Sequence, residues 1–246
     1  MENYHPMDSY NESGAADYEH LRGDEAHAVD FLAGSVEAAG GGPVLELAIG
    51  TGRIALPLAE RGVRVDGVEL STHMVDLLRA KPGGADLDVF VGDMAEVPVG
   101  DRRYKLVYLV YNTLFNLLTQ DEQVRCFESV AEHLDDDGVF VVEAFVPAYL
   151  HRLRDDQYVD AEQIGVGHVK LDVGRHDPIA QILDESHVVL APEGIKVFPI
   201  VCRYAWPSEL DLMARLAGLR RRERWGGWQR EEFTAQSRNC VSVYGR

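Results

Sequence analysis

Short, continuously apolar runs alternate with amphipathic stretches along the first half of the chain. Val44-Leu45-Glu46-Leu47, Val63 to Val68, Leu87 to Val91 and Lys105 to Val110 are brief and bounded by glycines, prolines or acids, which favours buried strands over helices. Between them the spacing turns helical. Asp24 to Ala39 aligns Ala28, Phe31, Leu32 and Val36 on one stripe, Ile54 to Arg61 runs into Gly62, and the segment after Ser71 repeats Met74, Leu77 and Leu78. Thr119-Gln120-Asp121-Glu122 is a capping box opening a helix with Val124, Phe127, Val130 and Leu134 inward, which ends by Asp137-Gly138. A fifth strand, Val139 to Phe145, stops before Pro147. The βα rhythm predicts a largely parallel sheet covered by helices.

The pattern changes between Ala148 and Ala205. Turn signals at Gly174 to Pro178 and Ala191-Pro192-Glu193-Gly194 separate extended runs, so Ile179 to Leu190 and Ile195 to Tyr204 read as a hairpin with Gly165 to Val173 beside it. This predicts an antiparallel flap after strand five. Pro207-Ser208 then opens a helix ended by Gly218, and Leu219 to Trp225 and Asn239 to Tyr244 are the closing strands. The expected division is 1–147 for an N-terminal arm and core, 148–205 for the flap and 206–246 for the return of the core.

Charge narrows the partners. A formal net charge of −17 argues against broad contact with nucleic-acid phosphates. Arg220-Arg221-Arg222-Glu223-Arg224, the one basic cluster, reads as a solvated strand edge. No apolar run approaches the ~20 residues of a membrane span. The opening lacks a signal peptide's charged flank and apolar core, so a cytoplasmic location is expected. Cys126, Cys202 and Cys240 lie apart among apolar neighbours and read as buried thiols.

The chemistry concentrates at strand ends. The first strand runs into Ala48-Ile49-Gly50-Thr51-Gly52, where two residues without Cβ let the backbone bend and approach a ligand. Alone, Gly50-x-Gly52-x-x-Ala55 also fits a relaxed dinucleotide fingerprint. Glu69 ends the second strand near the offset at which an acid accepts ribose hydroxyls. Gly92-Asp93-Met94 ends the third, and Tyr111-Asn112 ends the fourth.

Taken together these features resemble the class I S-adenosylmethionine-dependent methyltransferases, over nearly the whole chain from about Asp24. The resemblance implies an α/β, Rossmann-like, doubly wound seven-stranded mixed sheet with an antiparallel β flap inserted after strand five. It implies S-adenosyl-L-methionine as cofactor. Ala48, which stands where the family's first glycine is usual, would hug the methionine portion together with Gly50 and Gly52. Glu46 would serve its ammonium or orient the loop, Glu69 would hold both ribose hydroxyls, and Asp93 and Met94 would meet the adenine. Leu70, Met74 and Tyr18 of the arm complete the expected cofactor contacts, and Tyr111 and Asn112 would line the pocket beside the sulfonium.

Methyl transfer is expected to an N or O atom of a small, secondary-metabolite-like acceptor held under the flap, mainly through alignment. A homodimer is one arrangement the family uses, and no metal is expected. Where a base is needed, Glu143 near the end of strand five is the first candidate, with Tyr111 beside it and His168, His176 and His187 on the flap. Two other readings stand beside this one: a binder of the same cofactor repurposed for other chemistry, and an NAD-dependent oxidoreductase.

Overall fold

The computed structural model describes Tyr4, Ser9 and residues 25–246. Helix α1 (Glu25–Ala38) leads into β1 (Val44–Leu47), α2 (Ala55–Glu60), β2 (Val65–Glu69), α3 (Thr72–Arg79), β3 (Asp88–Val91) and β4 (Tyr104–Leu109). Helix α4 (Gln120–His133) and β5 (Leu134–Phe145) follow. These strands, with β10 (Arg220–Trp225) and β11 (Asn239–Gly245), form one sheet in the order β10-β11-β5-β4-β1-β2-β3. All pairs from β3 to β5 are parallel, while β11 runs antiparallel to β5 and β10 to β11. The mixed sheet follows from the sequence. βα crossovers make parallel neighbours, whereas the last two strands share only a loop and form a hairpin.

Every residue of β1 and β2 is buried, which explains their unbroken apolar character. One face packs Leu45, Leu47, Val107, Phe115, Phe127 and Phe140; the other packs Phe31, Leu32, Val44, Ile54, Leu58 and Tyr108. The capping box of α4 is present in full: Thr119 Oγ1 accepts from Glu122 N and the Glu122 carboxylate accepts from Thr119 N. Successive strands are added on one side of β1 and then, from β4, on the other, so a cleft opens at the carboxyl ends of β1 and β4.

A second sheet holds β6 (Gln157–Gly165), β7 (His168–Asp177), β8 (Ile182–Ala191) and β9 (Gly194–Arg203) as an antiparallel meander. It has four strands rather than the expected three. The additional strand, β6, is an edge strand with almost no buried residue, so it lacks the apolar alternation that marks a strand in sequence. The turn expected over Gly174 to Pro178 comes at its far end, over 178–181, since β7 runs to Asp177. A side chain at Gly174 would stand 2.5 Å from the Tyr158 ring, so this glycine makes room for a neighbour rather than bending the chain. Strand β5 begins at Leu134, earlier than Val139: Leu134 pairs with Tyr104, the acidic stretch at 135–138 bulges out of register, and regular pairing with β4 resumes at Leu106 and Val139. Helix α5 (Pro207–Leu216) returns the chain to the large sheet. The arginine cluster does form an edge strand, but Arg224 is buried and reaches Asp211 at 2.7 Å. Among the described residues no helix is long and apolar enough to cross a membrane.

Candidate active site

Beyond Leu47 the chain turns through Ala48, Gly50 and Gly52, all left-handed with φ of 51°, 56° and 79°. For alanine that conformation costs about 1–2 kcal/mol, which is why a glycine is the usual occupant. The turn is held from β2. Glu69 accepts from Gly50 N at 2.8 Å through one carboxylate oxygen and from Ser71 N at 2.8 Å through the other. Burial raises the Glu69 carboxyl above the usual range, and these N–H donors oppose the rise. The Leu70 N–H also opposes the rise, and because each carboxylate oxygen can accept twice, Glu69 retains capacity for a further donor. Met74 packs beneath Gly50, and a Cβ on Gly52 would stand 2.4 Å from Leu78, so Gly52 lets α3 close on the loop.

A cavity of about 210 Å³ opens beside this clamp. Of the residues singled out in sequence, Ala48, Glu69, Leu70, Asp93 and Met94 line it. Asp93 accepts from Ala95 N at 2.8 Å, which fixes its carboxylate at the tip of β3. Thr113, Asn116, Leu117, Leu118 and Glu122 complete the far wall. These were missed in sequence. The polar run after β4 pointed to the area, but Glu122 carried the signature of a helix cap and nothing more. Tyr4 also reaches the cavity; its hydroxyl bonds Ser9 Oγ at 2.7 Å, and Ser9 donates to the Pro199 carbonyl of the flap. Tyr18 lies outside the described residues.

Glu46, Tyr111, Asn112 and Glu143 lie in an adjoining network rather than in this lining. Glu46 is buried under the loop, accepts from the Tyr108 hydroxyl at 2.9 Å and from the Ala55 N–H, and is pushed up to about 8 by burial. Tyr111 and Asn112 are both left-handed, with φ of 56° and 61°. Successive non-glycine residues in that region cost of order 1–3 kcal/mol each and persist only when their surroundings hold them. Here Glu143 accepts from Tyr111 N at 2.7 Å and, through its other oxygen, from Trp228 Nε1 at 3.0 Å. Asn112 Oδ1 accepts from Phe145 N at 2.6 Å, and the Arg53 guanidinium lies 4.2 Å from the centre of the Tyr111 ring. Glu143 thus ties the end of β4 to β5, with both oxygens engaged.

The flap histidines separate cleanly. His168 sits at the β6–β7 turn. His176 is buried with Nε2 on the Tyr204 hydroxyl at 2.7 Å. His187 lies on the charged face of the sheet with Nδ1 at 2.5 Å from Asp172.

The family model described as a methyltransferase domain matches residues 44–138, from β1 into β5. The solved structure of the CcbJ methyltransferase from Streptomyces caelestis is 42% identical, covers 94% of this chain and 95% of its own, and superposes with a TM-score of 0.87. The chain is a class I S-adenosylmethionine-dependent methyltransferase. Among curated relatives of this methyltransferase, the cypemycin N-terminal methyltransferase of a Streptomyces species is 28% identical over 206 residues, 84% of either chain. The dTDP-3-amino-3,6-dideoxy-alpha-D-glucopyranose N,N-dimethyltransferase of Streptomyces fradiae is 33% identical over 113 residues, 44% of this chain and 43% of that one. The charge of the site agrees with this cofactor. Among the described residues the cavity lining carries Glu69, Asp93 and Glu122 and no basic side chain, which suits a sulfonium and donor-rich ribose and repels the pyrophosphate of a dinucleotide.

Proposed function

We propose that this methyltransferase methylates an amine nitrogen of a small molecule. Bound S-adenosylmethionine supplies an electrophilic methyl group for in-line displacement. In this reading the Glu69 carboxylate holds the ribose hydroxyls, Asp93 accepts from the adenine amino group and Met94 packs on the ring. The loop through Ala48, Gly50 and Gly52 receives the methionine portion, and Glu46 orients that loop from below. Tyr111 and Asn112, fixed by Glu143, set the wall beside the methyl group. In the same reading residues 1–147, an N-terminal arm and the cofactor-binding core, are completed by 206–246, and 148–205 covers the acceptor side.

The observation that carries the cofactor site is the set of three carboxylates on one cavity, with no basic counterpart among the described residues. Support for a nitrogen acceptor comes from relatives that act on a peptide N-terminus and on an amino-sugar nucleotide. We also read the flap as the contact of a homodimer, because its outward face exposes Val159, Ile195 and Val197 at 65%, 70% and 60%. The test of the activity is mass spectrometry of reactions containing S-adenosylmethionine and a panel of amines and alcohols. The panel includes a 3-amino sugar nucleotide and a peptide with a free N-terminus. Mass gain of a methyl group on amines supports the reading; transfer to alcohols alone overturns it.

A further inference from the structure

The flap buries its charged face and exposes its apolar one. Register places Asp160, Asp172, His187 and Phe198 on one rung, and Tyr158, Gly174, Glu185 and Ile200 on the next, all on the same face. The side chains of Asp172, Glu185 and His187 are only 24%, 18% and 18% exposed. A sheet with nothing on its charged side would show the reverse. The covering element is the turn after β5, where Tyr149 packs near Phe145, their ring centres 6.0 Å apart. Burial and the negative charges of Glu185, Asp172 and Asp160 raise the Tyr149 phenol, so these carboxylates face it. Leu183 and Cys202 on the same face share one buried cluster with Leu114 and Phe115, so this face looks toward the segment that follows β4.

The groups on this face are built into one geometry. Gly174 leaves space for the Tyr158 ring to cross β7, and the Tyr158 hydroxyl donates to Glu185 on β8. The His187 ring is stacked on Phe198 with 23° between planes. Its Nδ1 faces Asp172 at 2.5 Å, while Nε2 stands 3.7 Å from Glu185, too far for a hydrogen bond. Glu162 brings a third carboxylate to this group, its oxygen within 4.8 Å of the facing Asp172 and His187 atoms, and it is paired with Lys170 at 2.6 Å. An imidazole pinned through Nδ1–H to a carboxylate presents its Nε2 lone pair outward.

We infer that this face receives the acceptor as an ammonium ion, with Glu185 as counter-ion and His187, oriented by Asp172, as the base that removes its proton. The inference rests on the amine reading above. An ammonium has no lone pair to attack a methyl group. One N–H bond breaks, its electron pair stays on the acceptor nitrogen, and a new Nε2–H bond forms on His187. The imidazolium is stabilised by Asp172 and returns its proton to water after turnover.

Two measurements test this on the full chain. Nitrogen-15 NMR of labelled histidine, with S-adenosylhomocysteine bound, should show His187 protonated on Nδ1 and unprotonated on Nε2; the opposite tautomer overturns the assignment. Turnover of amines from the panel is then compared across pH for wild type, His187→Gln and Asp172→Asn. A base contributes 10²–10⁴-fold, so His187→Gln should lose roughly 10²-fold or more near pH 7 and recover as the amine loses its proton in water at higher pH. Asp172→Asn should show a smaller loss of the same shape and stands in if the histidine variant fails to fold. Affinity for S-adenosylhomocysteine should stay unchanged in both. Variants that follow the wild-type profile overturn the base while leaving amine methylation standing. A wild-type enzyme that methylates alcohols and no amine overturns both.

Discussion

Replacing Glu143 by glutamine separates a positioning role from acid–base chemistry. In the wild type both carboxylate oxygens accept, from Tyr111 N at 2.7 Å and Trp228 Nε1 at 3.0 Å. Glutamine keeps the size but converts one acceptor to an NH₂, so one of these donors meets another donor. A hydrogen bond to a charged group contributes about 1.5–3 kcal/mol, and the half-buried donor left behind keeps the variant from recovering it. For a chain of this length 1 kcal/mol corresponds to a Tm shift of about 2–4 °C, so Glu143→Gln should melt roughly 3–12 °C lower. Glu143→Ala, which removes both bonds and releases the left-handed pair Tyr111-Asn112, should lose more. Differential scanning calorimetry reads the stability, and the release of S-adenosylhomocysteine reads the rate. The expected outcome is a lower kcat with an unchanged pH profile, because Tyr111 is displaced and no proton carrier is lost. A glutamine variant that melts with the wild type and loses the acidic limb of kcat/KM would refute the positioning argument and make Glu143 a base.

Glu69→Gln should weaken S-adenosylhomocysteine binding by roughly 10–100-fold, equivalent to about 1.5–3 kcal/mol for a charged acceptor. Isothermal titration calorimetry checks this, and an unchanged affinity for Asp93→Ala would remove the adenine assignment. Glu46 has a carboxyl raised from 4.5 to about 8, so its contribution is fully present below pH 4.5 and is lost as pH rises through 8. Glu46→Gln should therefore flatten the cofactor-free unfolding curve between those values, gaining up to roughly 5 kcal/mol on wild type at pH 8.5; parallel curves would show the carboxyl is already ionised. Val197→Lys on the exposed flap face should convert a dimer to a monomer in light scattering after size exclusion, whereas a wild-type monomer would dispose of the dimer reading.

What the sequence reveals and hides follows from which forces are local. The strand, glycine loop and helix around Gly50 are written in adjacent residues, because backbone bending and burial act over a few positions, and the same holds for the α4 capping box. Strand β6 was hidden for the opposite reason. It lies at an edge, packs little, and owes its conformation to pairing with β7, which no local period records. Glu143 shows the same limit at the site. An acid between Val142 and Ala144 announces that it needs partners, but Trp228 lies 85 residues away and the Tyr111 amide becomes a donor only after β4 and β5 pair. His187 goes one step further. Its sequence neighbours are Ser186 and Val188, and its chemistry comes from Asp172 across one strand pair and Phe198 across the next. A hairpin's register decides whether a histidine meets a carboxylate or water, and a slip of one residue would turn His187 to the apolar face. The turns at 178–181 and 191–194 that set this register are therefore as necessary to the proposed proton transfer as the imidazole itself.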